Sequence, residues 1–142
     1  SLNVKVPIGF DELRVFRELV DIGIYVNCTC CFTAAQMELA ALAGARYVSL
    51  FYNRLIDHNR EGWVDDDPTS VIQRVRAFID GNDLDCQIIC GSIRSPRDVS
   101  DAWSAGAHIV TASRNVIVAM TRHPGTDRSV QQFTRDFSDW LT

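Results

Sequence analysis

The chain has 142 residues, enough for one domain with a core of its own. Its 46% hydrophobic and 23% charged residues are those of an ordinary globular protein, and a net charge of −4 argues against a nucleic-acid binder. No apolar run approaches the ~18–20 residues of a membrane-spanning helix and no signal-peptide pattern opens the chain, so the expected compartment is the cytoplasm, away from membranes.

Short apolar runs alternate with amphipathic stretches along the sequence. Val4-Lys5-Val6 reads as a strand end closed by Pro7, and a helix is predicted over about Asp11–Asp21, with Leu13, Phe16, Leu19 and Val20 on one face and Gly23 as its stop. Ile24–Cys31 is the next strand. Thr33-Ala34-Ala35-Gln36 has the form of a capping box, and its helix runs through Leu42 to Gly44. Tyr47–Phe51 is a strand, followed by an expected polar loop over about Asn53–Asp67. Asp67-Pro68 forms an N-cap and first-turn pair for a helix with Val71, Ile72, Val75, Phe78 and Ile79 inward. Cys86–Cys90 is a strand, Ser95-Pro96 opens a helix ending at Gly106, His108–Thr111 is the last strand, and a helix covers about Arg114–Met120. The closing helix is expected over about 127–141. Its stripe of Val130, Phe133, Phe137 and Trp140 suits either packing on the sheet layer or docking on a neighbouring subunit.

The order is thus β-α five times plus a terminal helix, read as a single unit over residues 1–142, which implies a parallel sheet. Two helix-to-strand junctions share a local pattern, Leu42-Ala43-Gly44-Ala45 and Ser104-Ala105-Gly106-Ala107. Five units would complete a doubly wound open sheet, but such a sheet binding a nucleotide would want a Gly-rich phosphate loop, which this sequence lacks. A β/α barrel needs about 200–250 residues and would be partial here.

Two compositional features bear on chemistry. Thirteen of the 14 basic residues are Arg, and Lys5 is the only Lys, set inside an apolar segment. Arg keeps its proton, whereas a desolvated Lys can lose it and attack a carbonyl. The bland alternative is a snorkelling surface residue in a lysine-poor chain. The five cysteines (Cys28, Cys30, Cys31, Cys86, Cys90) lack paired C-x-x-C knuckles and read as buried reduced thiols rather than a metal site. Strand alternation would put Asn27, Thr29 and Cys31 on the face shared with Lys5, and Cys28 and Cys30 on the other.

Val4-Lys5-Val6-Pro7, Asn27-x-Thr29-x-x-Phe32-Thr33-x-x-Gln36, Ala43-Gly44-Ala45-x-Tyr47-Val48-Ser49-x-Phe51-x-x-Arg54, Ser92-x-Arg94-x-Pro96, Ala105-Gly106-Ala107 and His123-Pro124-x-Thr126-Asp127 together resemble the transaldolase family, in its short subfamily that includes fructose-6-phosphate aldolase. The resemblance runs in register from the fourth barrel strand to the C-terminus. It implies an α/β TIM barrel of the class I aldolase type, represented by about five β-α units, with three more expected upstream of Ser1. Those units would carry the family's acidic residue of the first strand and the carboxylate or amide of the third.

Site roles follow from the resemblance. Lys5 would form a Schiff base with a sugar-phosphate carbonyl, Thr29 would order the catalytic water, and Asn27 would contact substrate hydroxyls. Phe51 stands where the aldolase variants carry Tyr, which tilts the reading toward transfer of a dihydroxyacetone unit rather than its release. Arg54, Ser92 and Arg94 would hold the phosphate, helped by helix N-terminal amides. No cofactor or metal is implied, because the imine polarises the reacting carbon. The expected partners are sugar-phosphate substrates and further copies of the chain or the absent half of the barrel. The competing reading is a non-catalytic barrel fragment that acts by association through its open strand edges.

Overall fold

A computed structural model describes residues 2–62 and 66–141 of the chain. Residues 63–65, inside the expected polar loop, lie outside the described residues, as do Ser1 and Thr142. The order is β1 (Asn3–Pro7), α1 (Phe10–Asp21), β2 (Tyr25–Cys31), α2 (Ala34–Leu42), β3 (Tyr47–Phe51), α3 (Tyr52–Arg60), α4 (Pro68–Gly81), β4 (Gln87–Gly91), α5 (Pro96–Ser104), β5 (Ile109–Val110), α6 (Arg114–Met120) and α7 (Pro124–Trp140). The five strands are parallel and lie side by side in chain order. Right-handed crossovers that always step to the next strand keep the connecting helices on one face. A doubly wound sheet would reverse its strand order partway. This fold is therefore α/β of the barrel type, represented by five consecutive units.

The helix starts follow the sequence chemistry. Thr33 and Gln36 form a reciprocal capping box on α2, Ser95 and Asp98 form one on α5, and the Asp67 side chain caps α4 ahead of Pro68. The helix ends repeat one device. Gly44 and Gly106 take φ +94 and +107, and the amides after them reach back, Ala45 N to Ala40 O and Ala107 N to Ala102 O, both at 3.0 Å. The twin motif thus closes α2 and α5 and aims the chain into β3 and β5.

The core lies between sheet and helices. Val26, Cys28, Val48, Leu50, Ile88 and Cys90 point outward from the strands and are fully buried against Phe16, Met37, Leu55, Ile72 and Val75. Burying each of the larger aliphatic or aromatic side chains contributes about 1.5–3 kcal/mol.

Three expectations need correction, and one open choice is narrowed. The segment after β3 is not a loop: residues 52–60 form α3, whose mostly polar sequence lacks a side-chain cap but buries Tyr52, Asn53 and Leu55. The last strand is only Ile109–Val110. In β2, Cys30 takes φ +62 and the register to β3 shifts between Cys28 and Cys31. This bulge rotates Cys31 to the helix side, where its Sγ lies 3.6 Å from Cys28 Sγ, and leaves Cys30 exposed. Finally, α7 buries none of its residues, so its apolar stripe does not pack on the sheet layer of this chain.

Candidate active site

The face of the sheet opposite the helices carries the polar residues. Lys5, Asn27, Tyr47 and Gln87 are successive register partners across β1 to β4 and therefore share one row of that face. Val4 and Val6 alternate to the helix side, as their apolar character requires. One row further toward the strand C-termini, Pro7 partners Thr29, and Ser49 partners Ile89.

Asn27 and Ser49 are joined directly: Ser49 Oγ donates to Asn27 Oδ1 at 2.7 Å. Ser49 is 3% exposed, and this bond satisfies a hydroxyl that would otherwise be costly to bury. Thr29 is 8% exposed, yet its Oγ1 is buried without a hydrogen-bond partner among the described residues. An orphan hydroxyl on the polar face, one row above Asn27, is a group ready to bond a ligand or a reacting water.

Lys5 does not sit in the desolvated setting anticipated for it. It is solvent-exposed, because β1 is an edge strand of this sheet and one flank of its side chain faces no neighbouring strand. The register places it beside Asn27, but the chain itself does not cover it.

The anion-binding candidates cluster near the C-terminal strand ends, through α3 and the β4–α5 connection. Arg54 is exposed, with its guanidinium carbon 4.4 Å from the centroid of Phe51, whose ring is also met edge-on by Phe32 at 5.8 Å. Ser92 follows β4 directly with φ +62, a conformation that favours glycine. Arg94 is not a free cation: its Nη1 and Nη2 donate to Asp57 Oδ1 and Oδ2 at 2.9 and 2.5 Å. The Asp57 bonds hold that guanidinium protonated, and the Arg94 bonds hold the Asp57 carboxyl below the usual carboxylate range. Asp57 thus ties Arg94 to α3, the helix that carries Arg54, and no hydrogen bond joins Arg54, Ser92 and Arg94 to one another among the described residues.

Asp98 organises this end. Its Oδ2 accepts from Asn53 Nδ2 at 2.7 Å and from the Arg94 and Ser95 amides, each at 2.9 Å. Burial raises its carboxyl, but these donors outweigh burial and hold it below the usual range. The Arg94 and Ser95 amides, just ahead of α5, are therefore already engaged by a carboxylate. Asn53, 8% exposed, ties the start of α3 to the start of α5. Sequence reading missed Ser49, Asn53, Asp57 and Asp98 as parts of the site. Ser49 stood inside a quoted motif, but the other three act through bonds spanning 37 to 45 residues. Among the described residues, no three His, Cys, Asp or Glu side chains converge to hold a metal ion, and no helix is long and apolar enough to cross a membrane.

A single-direction parallel sheet, helices on one face, and Lys, Asn, Thr and Ser on the other define a partial β/α barrel with a polar inner face. Residues 1–141 match the Transaldolase/Fructose-6-phosphate aldolase family, and the chain belongs to it. It is 41% identical over 138 residues to probable transaldolases of Paracoccus denitrificans and Phenylobacterium zucineum, in each case 97% of this chain and 61% of the relative. A probable transaldolase of Halalkalibacterium halodurans is 38% identical over 139 residues, 98% of this chain and 63% of the relative. The chain thus spans about three fifths of the length of these relatives.

Proposed function

We propose that this chain supplies the Schiff-base lysine and the phosphate-binding end of a transaldolase-type site. The observation that carries the proposal is the inner row, with Lys5 in register beside Asn27, Ser49 bonded to that amide, and the Thr29 hydroxyl buried without a partner one row above.

In this reading, the Lys5 Nζ lone pair adds to the ketose carbonyl of a sugar phosphate and gives a carbinolamine. Protonation of its hydroxyl and departure of that oxygen as water leave a protonated imine. The C3–C4 bond then breaks: its electron pair moves into the imine to give an enamine, and the C4 hydroxyl releases its proton as the aldehyde departs. Thr29 orders the water that accompanies proton movement, and Asn27 holds a substrate hydroxyl. Arg54, Ser92 and Arg94 bind the phosphate, with guanidinium forks suited to its oxygens. The enamine carbon then adds to the carbonyl of an aldose phosphate. Phe51, with no hydroxyl to offer a proton, favours this transfer over protonation and release of dihydroxyacetone.

A second reading is favoured by two observations, the exposure of Lys5 on an open edge strand and the unpacked α7. In that reading the chain works only when a complementary chain or further copies cover β1 and the α7 stripe.

Incubation with fructose 6-phosphate, with and without an aldose phosphate acceptor, tests these readings. Product formation that needs the acceptor and is lost in Lys5→Arg supports transfer. Free dihydroxyacetone without acceptor supports the lyase form. Turnover unaffected by Lys5→Arg contradicts the proposal.

A further inference from the structure

We infer that Asp57 is a positioning residue, which orients the Arg94 guanidinium so that its Nε edge faces a bound phosphate. The inference rests on reading Arg54, Ser92 and Arg94 as the phosphate site. Asp57 lies one helical turn beyond Arg54 on α3, an arrangement that exists only because residues 52–60 are helical. Its carboxylate takes Arg94 end-on, one oxygen to each terminal nitrogen, at 2.9 and 2.5 Å. The backbone amide of Arg94 is held separately by Asp98 at 2.9 Å. A long, flexible side chain is thereby fixed at its root and at its head.

The end-on grip decides what Asp57 does. It uses one hydrogen of each terminal nitrogen and leaves Nε–H without a partner among the described residues. A guanidinium has five donors in a rigid fork, so a phosphate oxygen pair can take the side edge while the carboxylate keeps the end. Were Asp57 a competitor for phosphate, its charge would only repel the ligand. As a clamp, it removes the ordering cost that a free Arg would meet on binding. One helix then presents one phosphate arginine, Arg54, and aims the other.

Inorganic phosphate binding by the full chain, measured by calorimetry, tests this with three variants. Arg94→Gln is expected to weaken binding, which tests the underlying phosphate site. Asp57→Asn is expected to weaken it about 5–10-fold while the unfolding midpoint stays unchanged, because an exposed pair adds little stability. Asp57→Glu, which keeps the charge and both oxygens, is expected to recover most of the loss. Weakening by Arg94→Gln together with unchanged or tighter binding in Asp57→Asn overturns the inference and leaves the phosphate site standing. No effect of Arg94→Gln removes the site and the inference with it.

Discussion

Ser49 Oγ lies 2.7 Å from Asn27 Oδ1 and joins β3 to β2 on the polar face of the sheet. The bond fixes which end of the Asn27 amide is engaged and leaves Nδ2 without a hydrogen-bond partner among the described residues, in the row that carries Lys5. Replacing Ser49 by Ala removes the donor at a buried position. The expected cost is about 1–2 kcal/mol, read from denaturant midpoints, with a larger fall in turnover than in stability. Unchanged turnover in a folded Ser49→Ala variant would show that the Asn27 orientation is irrelevant to chemistry.

Asp98 receives one side-chain and two backbone donors. Asp98→Ala leaves the buried Asn53 amide without its partner and removes half of the α5 capping box, an expected loss of roughly 2–3 kcal/mol. Its depressed pKa also sets a direction with pH. The carboxylate contributes stability above the unfolded-state pKa of about 3.9, and that contribution is lost as the pH falls through the lower folded value. The stability of Asp98→Asn should therefore depend less on pH below about 4 than that of the parent, measured by unfolding at a series of pH values.

His108 gives the opposite kind of group, one held neutral. Burial lowers its pKa first, and the Arg76 charge adds to this, with Asp80 opposing. Its Nδ1 faces the Ile88 amide at 3.0 Å and its Nε2 faces Arg76 Nη1 at 3.1 Å, so a protonated ring would set N–H against N–H on both sides. The unfolded chain takes up a proton near pH 6.5 where the folded chain resists, so stability falls as the pH drops below that value. His108→Gln should flatten the difference in unfolding midpoint between pH 8 and pH 5. An identical difference in the variant would remove His108 as its source.

The helix-end device predicts a pair of opposite effects. A Cβ on Gly106 would lie 3.1 Å from Arg76 Cγ, on a backbone with φ +107. Gly106→Ala is expected to lose about 1–2 kcal/mol. Asp83 occupies the corresponding position after α4 with φ +51, and its neighbour Leu84 N reaches back to Ile79 O at 3.1 Å. Asp83→Gly relieves that strain and should gain roughly 0.5 kcal/mol. Thermal unfolding of the two variants checks both signs.

Local chemistry was legible along the chain, while relations between strands were not. The capping residues Thr33, Asp67 and Ser95 and the twin Gly44 and Gly106 motifs announce helix ends through neighbours a few residues apart, and all of them act as read. The alternation of elements likewise implied the parallel sheet, while the choice of a barrel over a doubly wound sheet came from the family resemblance. By contrast, α3 lacks a cap and carries mostly polar residues, so its buried Tyr52, Asn53 and Leu55 did not stand out from a loop. The turn of Cys31 to the core depends on one non-glycine residue, Cys30, at positive φ, which strand periodicity cannot foresee. Arg94 reads as a free cation until α3 brings Asp57 beneath it. Lys5 reads as enclosed until β1 is seen to be an edge strand.

The central claim is that the single lysine forms the covalent bond. Reduction with borohydride in the presence of fructose 6-phosphate, followed by peptide mass mapping, addresses it directly. The account predicts a reduced sugar-derived adduct on Lys5, diminished in Thr29→Val. An unmodified Lys5 under conditions where the chain turns over that substrate would contradict it.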